Sequence, residues 1–136
     1  MNDDKAFLDT NLFIYLYSDT DLIKKERVVQ VANKFERFIS TQVLNEFCCV
    51  CLRKLKLPVD LIRNAVNEIT STCNLHIVDN KTVVMALMIH EKYGYAYYDS
   101  LILASAVESG CQFLLTEDMA DGQVITGGLT IRNVLG

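Results

Sequence analysis

Short apolar runs that end at polar clusters alternate along this chain with longer stretches whose apolar residues recur at helical spacing. The first run, residues 6–8, ends at Asp9-Thr10-Asn11, a combination typical of a strand that meets a turn. Similar short runs predict five later strands, at residues 38–39, 75–78, 113–115, 124–125 and 129–131. Strands that alternate with helical stretches favour an α/β fold with a mostly parallel central sheet.

The first half of the chain contains three predicted helices. A short one occupies residues 12–17, and a charged amphipathic one occupies residues 21–35. Ser40-Thr41 supplies good N-cap residues, and the apolar positions after it follow helical spacing. We therefore expect a third helix from this point to about Lys56.

The second half contains three more predicted helices, and they differ in polarity. The helix that begins at Val59 has apolar residues on one face only, so it should lie on the surface. Residues 81–93 and 98–109 form the other two, which end at Gly94 and Gly110, where a left-handed residue can close a helix. Residues 98–109 are apolar nearly all round, which predicts a buried helix.

Length and composition set the class of protein. A chain of 136 residues, 51% hydrophobic with a single proline, predicts one folded domain over residues 1–136. The longest apolar run, residues 83–89, is far shorter than a membrane span, and the N-terminus lacks a cationic signal start. Five cysteines, mostly inside apolar stretches, do not suit a secreted disulfide scaffold. We expect a soluble, cytoplasmic protein that does not enter a membrane.

The charge balance bears on the choice of partner. A formal net charge of -4 argues against a protein that holds nucleic acid by bulk electrostatics. Local basic clusters can still contact a nucleic-acid backbone, although such clusters are more often solvated helix faces. Two such clusters are present: Lys24, Lys25 and Arg27, and Arg53, Lys54 and Lys56.

Four carboxylates occupy positions where a parallel sheet would bring them together. Asp9 directly follows the first strand, and Asp118 follows the strand at residues 113–116 by two positions. Glu46 lies in the first turns of the helix after strand two, and Asp99 in the first turn of the buried helix. Because parallel strands end at one edge of the sheet, these acids are expected to converge there.

Each of these acids is ordinary when taken alone. Acids in a first helical turn are favoured by the helix dipole, and aspartate after a strand is a common turn residue. Together they repel, by about 3 kcal/mol for two charges about 5 Å apart at an effective dielectric near 20. A pocket that holds all four needs protons or cations, and oxygen ligands favour Mg²⁺ or Mn²⁺.

The segments that carry these acids resemble the PIN-domain ribonucleases, most closely the small VapC-like toxins of type II toxin–antitoxin pairs. The resemblance covers nearly the whole chain and implies a three-layer α/β sandwich. It is carried by four segments in order, namely residues 7–11 (FLDTN), 40–47 (STQVLNEF), 98–100 (YDS) and 115–123 (LTEDMADGQ).

The resemblance also implies roles for particular residues. Its catalytic and metal-binding acids fall on Asp9, Glu46, Asp99 and Asp118, its polar supporting residues on Asn11 and Thr116, and a further acid on Asp121. The implied activity is Mg²⁺- or Mn²⁺-dependent endoribonuclease cleavage by a metal-activated water. The implied partners are an RNA substrate, a cognate antitoxin and a second copy of the chain.

Two other functions share part of this acidic pattern. A haloacid dehalogenase-like phosphotransferase starts with D-x-D, where this chain has Asp9-Thr10-Asn11. A non-enzymatic receiver-like domain phosphorylated on aspartate needs a lysine after its last strands, and none follows Lys92 here. The C-x-x-C spacing of Cys48 and Cys51 falls inside a predicted helix, so we expect core packing rather than redox chemistry.

Overall fold

The computed structural model describes residues 3–135, which fold into six strands and six helices. The strands are β1 (Lys5–Leu8), β2 (Glu36–Ser40), β3 (Asn74–His76), β4 (Phe113–Thr116), β5 (Val124–Ile125) and β6 (Leu129–Asn133). The helices are α1 (Thr10–Leu16), α2 (Leu22–Ala32), α3 (Thr41–Arg53), α4 (Val59–Thr72), α5 (Asn80–Tyr93) and α6 (Tyr97–Glu108). No helix in this part of the chain is long and apolar enough to cross a membrane.

All six strands join one sheet in the order β3-β2-β1-β4-β6-β5. Every neighbouring pair is parallel except β5 and β6. The predicted α/β fold with a mostly parallel sheet is therefore confirmed. Since β2 and β4 flank β1 on opposite sides, the chain reverses its direction of winding at β1, and the carboxyl end of β1 lies beside a crevice suited to ligands.

Side-chain caps explain where several helices begin. The Asp9 carboxylate accepts a hydrogen bond from Thr10 N at 2.7 Å, so α1 begins at Thr10, two residues before the predicted start. Ser40 Oγ accepts from Val43 N at 3.3 Å, which confirms the predicted cap of α3.

Three predicted ends are wrong by a few residues, each for a local reason. Helix α2 stops at Ala32 instead of residue 35 because tighter turns carry the backbone into β2. Helix α3 stops at Arg53, since Lys56 adopts a left-handed φ of 50°. Strand β3 covers residues 74–76 instead of 75–78, because Val78 N donates to a side-chain hydroxyl of α3 rather than to a strand.

The core lies between the sheet and the helices packed against it. Residues 6–8 of β1 are wholly buried, and so are most of the residues from 100 to 106 in α6, which confirms that this helix is buried. Cys51 is fully buried and Cys48 is partly buried against the same core, and both thiols are free. The C-x-x-C pair therefore serves core packing, as expected.

Candidate active site

Asp9 is the buried acid at the centre of the carboxyl edge. Only 7% of the residue is exposed, and its carboxylate accepts from Thr10 N at 2.7 Å and from Thr116 Oγ at 2.8 Å. Thr116 Oγ in turn accepts from Asp118 N at 3.2 Å. One buried threonine at the end of β4 thus connects the acid that follows β1 to the loop that carries Asp118.

Glu46 reaches the same edge from α3. Its Oε1 accepts from Thr10 Oγ at 3.3 Å and from Gln42 Nε2 at 3.1 Å. Gln42 Nε2 also donates to the backbone oxygen of Tyr98 at 3.0 Å, so this one amide connects α3 to the start of α6. The orientation of Glu46 is therefore fixed by both α1 and α3.

Asp99 and Asp118 complete the group. Asp99 is half-buried in the first turn of α6, and Asp118 is exposed in the loop after β4. Asn11 Nδ2 donates to Asp118 Oδ2 at 2.5 Å, which ties that loop to α1. The polar residues predicted to support the site, Asn11 and Thr116, thus contact Asp118 and Asp9 directly.

The four acids form one electrostatic group. Burial raises the pKa of Asp9 to about 6; hydrogen bonds from Thr116 and Thr10 lower it, and the charges of Glu46 and Asp99 raise it further. Burial is also the main cause that raises the pKa of Glu46, to which Asp99 adds. For Asp99, burial and then the charge of Asp118 raise the pKa. The sheet edge therefore favours protons or cations, as the sequence predicts.

Asp121, the further acid, has a different environment. It is exposed, and its Oδ1 accepts from Asn133 N at 2.8 Å, which fastens its turn to the end of β6. None of the interactions that raise the pKa values of Asp9, Glu46 and Asp99 comes from Asp121. The structure thus brings four of the five predicted acids into one group.

Sequence reasoning missed three side chains that hold the site in place. Gln42 lies four residues before Glu46, a helical spacing that would have revealed it. Tyr15 Oη donates to Glu117 at 2.8 Å, and Lys24 Nζ forms an ion pair with the same carboxylate at 2.7 Å. These contacts anchor the residue that immediately precedes Asp118.

The first basic cluster is engaged within the chain. Besides the ion pair of Lys24, Lys25 Nζ lies 3.1 Å from Asp19, and Arg27 Nε donates to Val134 O at 3.1 Å. The second cluster, Arg53, Lys54 and Lys56, is exposed at the end of α3. Of the two clusters, the second is therefore the more accessible to an RNA backbone.

The donor set fits a hard divalent cation in its chemistry. All four acids offer carboxylate oxygens, which Mg²⁺ and Mn²⁺ prefer. Within residues 3–135, however, no three His, Cys, Asp or Glu side chains converge closely enough to enclose a metal ion. The arrangement is that of an open site, in which a bound ion would keep several waters.

The fold is similar to that of several solved toxin and toxin–antitoxin structures. A Klebsiella pneumoniae toxin–antitoxin complex gives a TM-score of 0.69 at 21% identity, covering 92% of this chain and 95% of that chain. VapBC2 from Rickettsia felis, bound to a promoter DNA fragment, gives a TM-score of 0.66 at 19% identity, and the match covers 95% of this chain and 98% of that chain. Mycobacterium tuberculosis VapC20, a toxin that cleaves the sarcin-ricin loop, gives a TM-score of 0.66 at 17% identity, and the match covers 80% of this chain and 86% of that chain.

The comparison with curated proteins found no match. The family model described as "PIN domain" matches residues 6–120, a range that contains Asp9, Glu46, Asp99 and Asp118. The match covers most of the chain and agrees with the sheet topology and with the resemblance of the four acidic segments. The chain belongs to the PIN domain family.

Proposed function

We propose that this protein, as a single nuclease domain over residues 1–136, is a metal-dependent endoribonuclease and the toxin of a toxin–antitoxin pair. Asp9, Glu46, Asp99 and Asp118 are the proposed catalytic acids and ligands of Mg²⁺ or Mn²⁺. The observation that carries the proposal is the hydrogen-bonded group at the sheet edge of a PIN domain, in which Thr10 and Thr116 connect Asp9 to Glu46 and to the loop of Asp118. Family membership also disfavours the receiver-like and phosphotransferase alternatives.

A bound divalent ion supplies an activated water and offsets the charge that develops on a phosphodiester. The chain supplies the positioning of its own acids. Thr116 and Thr10 hold the carboxylate of Asp9, Gln42 holds Glu46, and Asn11 holds Asp118. With a pKa of about 6, Asp9 is mostly ionised at pH 7 and therefore available as a ligand.

The two histidines support water as the nucleophile rather than the ribose 2′-hydroxyl. His76 Nε2 lies 3.1 Å from Glu108 and 3.2 Å from Thr82, and His90 Nδ1 lies 2.5 Å from Tyr95 O. Both rings serve contacts that involve α5, and neither is bonded to the acids. We therefore expect products with a 5′-phosphate and a 3′-hydroxyl.

A cognate antitoxin and a homodimer are the proposed protein partners, acting with the enzyme in the cytoplasm. An inserted arginine or lysine from an antitoxin would find charge-assisted acceptors among the four acids. For the second copy, α5 offers Val84, Leu87 and Met88, each more than half exposed at helical spacing, next to exposed Ile77. Such a stripe is typical of a surface that another chain covers.

The deciding experiment incubates the purified protein with a defined structured RNA and Mg²⁺ or Mn²⁺, with Asp99→Asn as the inactive variant. Asp60→Asn, an exposed acid on α4, is the matched control and should cut like the wild type. End mapping should find 5′-phosphates. Cyclic-phosphate ends, or full cleavage in excess chelator, would refute the mechanism, and harmless expression without the neighbouring gene product would refute the toxin role.

A further inference from the structure

A cavity of about 520 Å³ opens between α3 and α6 directly beside the acidic group. Glu46 lines this cavity and also belongs to the acidic group. The cavity and the acidic group therefore share one side chain, so a nucleotide whose phosphate lay at the acids would have the cavity beside it.

The walls combine apolar surface with a few polar groups. Val78, Leu101 and the ring of Tyr98 supply the apolar surface, and Asn45 is exposed at the opening. Within residues 3–135 the amide of Asn45 has no hydrogen-bond partner, so it retains both its donor and its acceptor for a ligand. Apolar walls with a small number of polar groups are typical of ligand sites.

Tyr98 presents an exposed aromatic ring at the edge of the cavity. It is 67% exposed, although it sits next to Asp99 in the chain, and the ring of Tyr97 packs edge-on against it at 5.5 Å between centroids. Exposed aromatic rings of this kind are the surfaces on which proteins stack unpaired bases.

Gln42 forms a buried and well-ordered part of the cavity wall. It lines the cavity with only 8% of its surface exposed, and its Nε2 is committed to Glu46 and to Tyr98 O. Its Oε1 therefore has a fixed orientation, and it finds no hydrogen-bond donor in the described part of the chain. That oxygen is itself shielded from solvent, so Gln42 contributes a rigid wall to the cavity rather than an acceptor for a ligand.

We propose that this cavity binds a nucleobase of the RNA substrate next to the cleaved phosphate, with Tyr98 as the stacking surface. The inference rests on the proposed function, because it takes the acids as the place where the phosphate lies. The exposed amide of Asn45 offers both a donor and an acceptor, and it would contact the edge of the stacked base. The cavity would therefore contribute to sequence preference around the cut.

The test uses the four ribonucleosides and the full-length, metal-free protein, so that neither phosphate charge nor cleavage enters the measurement. Saturation-transfer NMR should detect binding of at least one nucleoside, and titration should rank the four. Tyr98→Ala should weaken the best binder by about tenfold, whereas Tyr98→Phe should retain it, because stacking needs only the ring. Leu52→Ala, an exposed apolar residue of α3 that does not line the cavity, is the matched control.

Two outcomes separate this inference from the proposed function. Nucleoside binding that depends on Tyr98, in a protein that cuts no RNA, would support the base site and refute the nuclease. RNA cleavage with no nucleoside binding, and with a cut pattern unchanged in Tyr98→Ala and Asn45→Ala, would overturn the base site. If the wild-type protein binds no nucleoside and Tyr98→Ala changes the oligomeric state, the base site would also be overturned. That result would show that a second copy of the chain occupies the cavity.

Discussion

Replacing Asp9 by asparagine should remove a large part of the loss of stability that the metal-free protein suffers as the pH rises from about 4 to about 6. Asp9 is the one buried acid of the four, and the fold raises its pKa from 3.8 to about 6. The folded protein therefore holds this proton more tightly than the unfolded chain does. Its stabilising contribution is complete below about pH 4 and is lost as the pH rises to about 6.

The magnitude follows from the pKa values. Each pKa unit corresponds to about 1.4 kcal/mol, so ionised Asp9 lowers the free energy of unfolding by about 3 kcal/mol at pH 7. Asparagine removes this cost because it carries no charge. Its amide is a poorer partner for Thr116 Oγ than the carboxyl group is, and this loss lowers the free energy of unfolding by about 1 kcal/mol at every pH. We expect Asp9→Asn to be about 2 kcal/mol more stable than wild type at pH 7.5.

The assay is chemical denaturation of both proteins after removal of metal, at pH 4.5 and at pH 7.5. The stability difference between the two proteins reports Asp9 together with its interactions with Glu46 and Asp99, because the remaining carboxyls are common to both. Asp9→Asn should be about as stable as wild type at pH 4.5, where the two effects cancel, and about 2 kcal/mol more stable at pH 7.5. A difference that is the same at both pH values would refute the assignment of a buried, strained carboxylate at this position.

Three further predictions concern the neighbours of Asp9. Asp99→Asn should abolish cleavage, leave the metal-free melting temperature unchanged or higher, and remove most of the thermal shift produced by Mg²⁺ or Mn²⁺; a variant that melts earlier yet still cuts RNA would contradict the site. Lys24→Met should lower the rate of cleavage by about tenfold, because Glu117 loses its ion pair and the loop that carries Asp118 loses an anchor. In a double-mutant cycle, adding Glu117→Gln to this variant should lower the rate no further. Gln42→Ala should weaken Mg²⁺ binding measured by calorimetry, because its hydrogen bond lowers the pKa of Glu46.

The sequence could single out the acids because Asp9 and Asp118 follow strands while Glu46 and Asp99 lie in the first turns of helices, and such positions are marked by local patterns. Asp9 ends β1 and caps α1, and Asp99 opens a helix that is apolar on all sides. Their convergence depends on the order of the strands in the sheet, in which β4 lies beside β1 although the two are far apart in the sequence. The hydrogen bond from Asn11 to Asp118 spans 107 positions, and no local pattern specifies it.

The supporting residues that sequence analysis missed depend on tertiary contacts. Gln42 is an ordinary helical glutamine in sequence, and only the approach of α6 gives it Tyr98 O as a second partner. Lys24 belongs to a basic cluster that suggested a nucleic-acid surface, yet Glu117 lies close enough to neutralise it. The end of α3 depended on a left-handed residue, Lys56, which is a lysine rather than the glycine that usually signals such a turn.

The central position of β1 also has a consequence for biosynthesis. The first acid is synthesised almost at once, but its buried partner Thr116 and the loop that carries Asp118 emerge only near the end of translation. That loop is in turn held by β6, where Asn133 Nδ2 donates to Glu117 O at 2.8 Å. At a translation rate of about 5 to 20 residues per second, most of the time needed to synthesise this chain passes before these residues are added. A ribosome with an unfinished chain therefore carries separate acids but no assembled site.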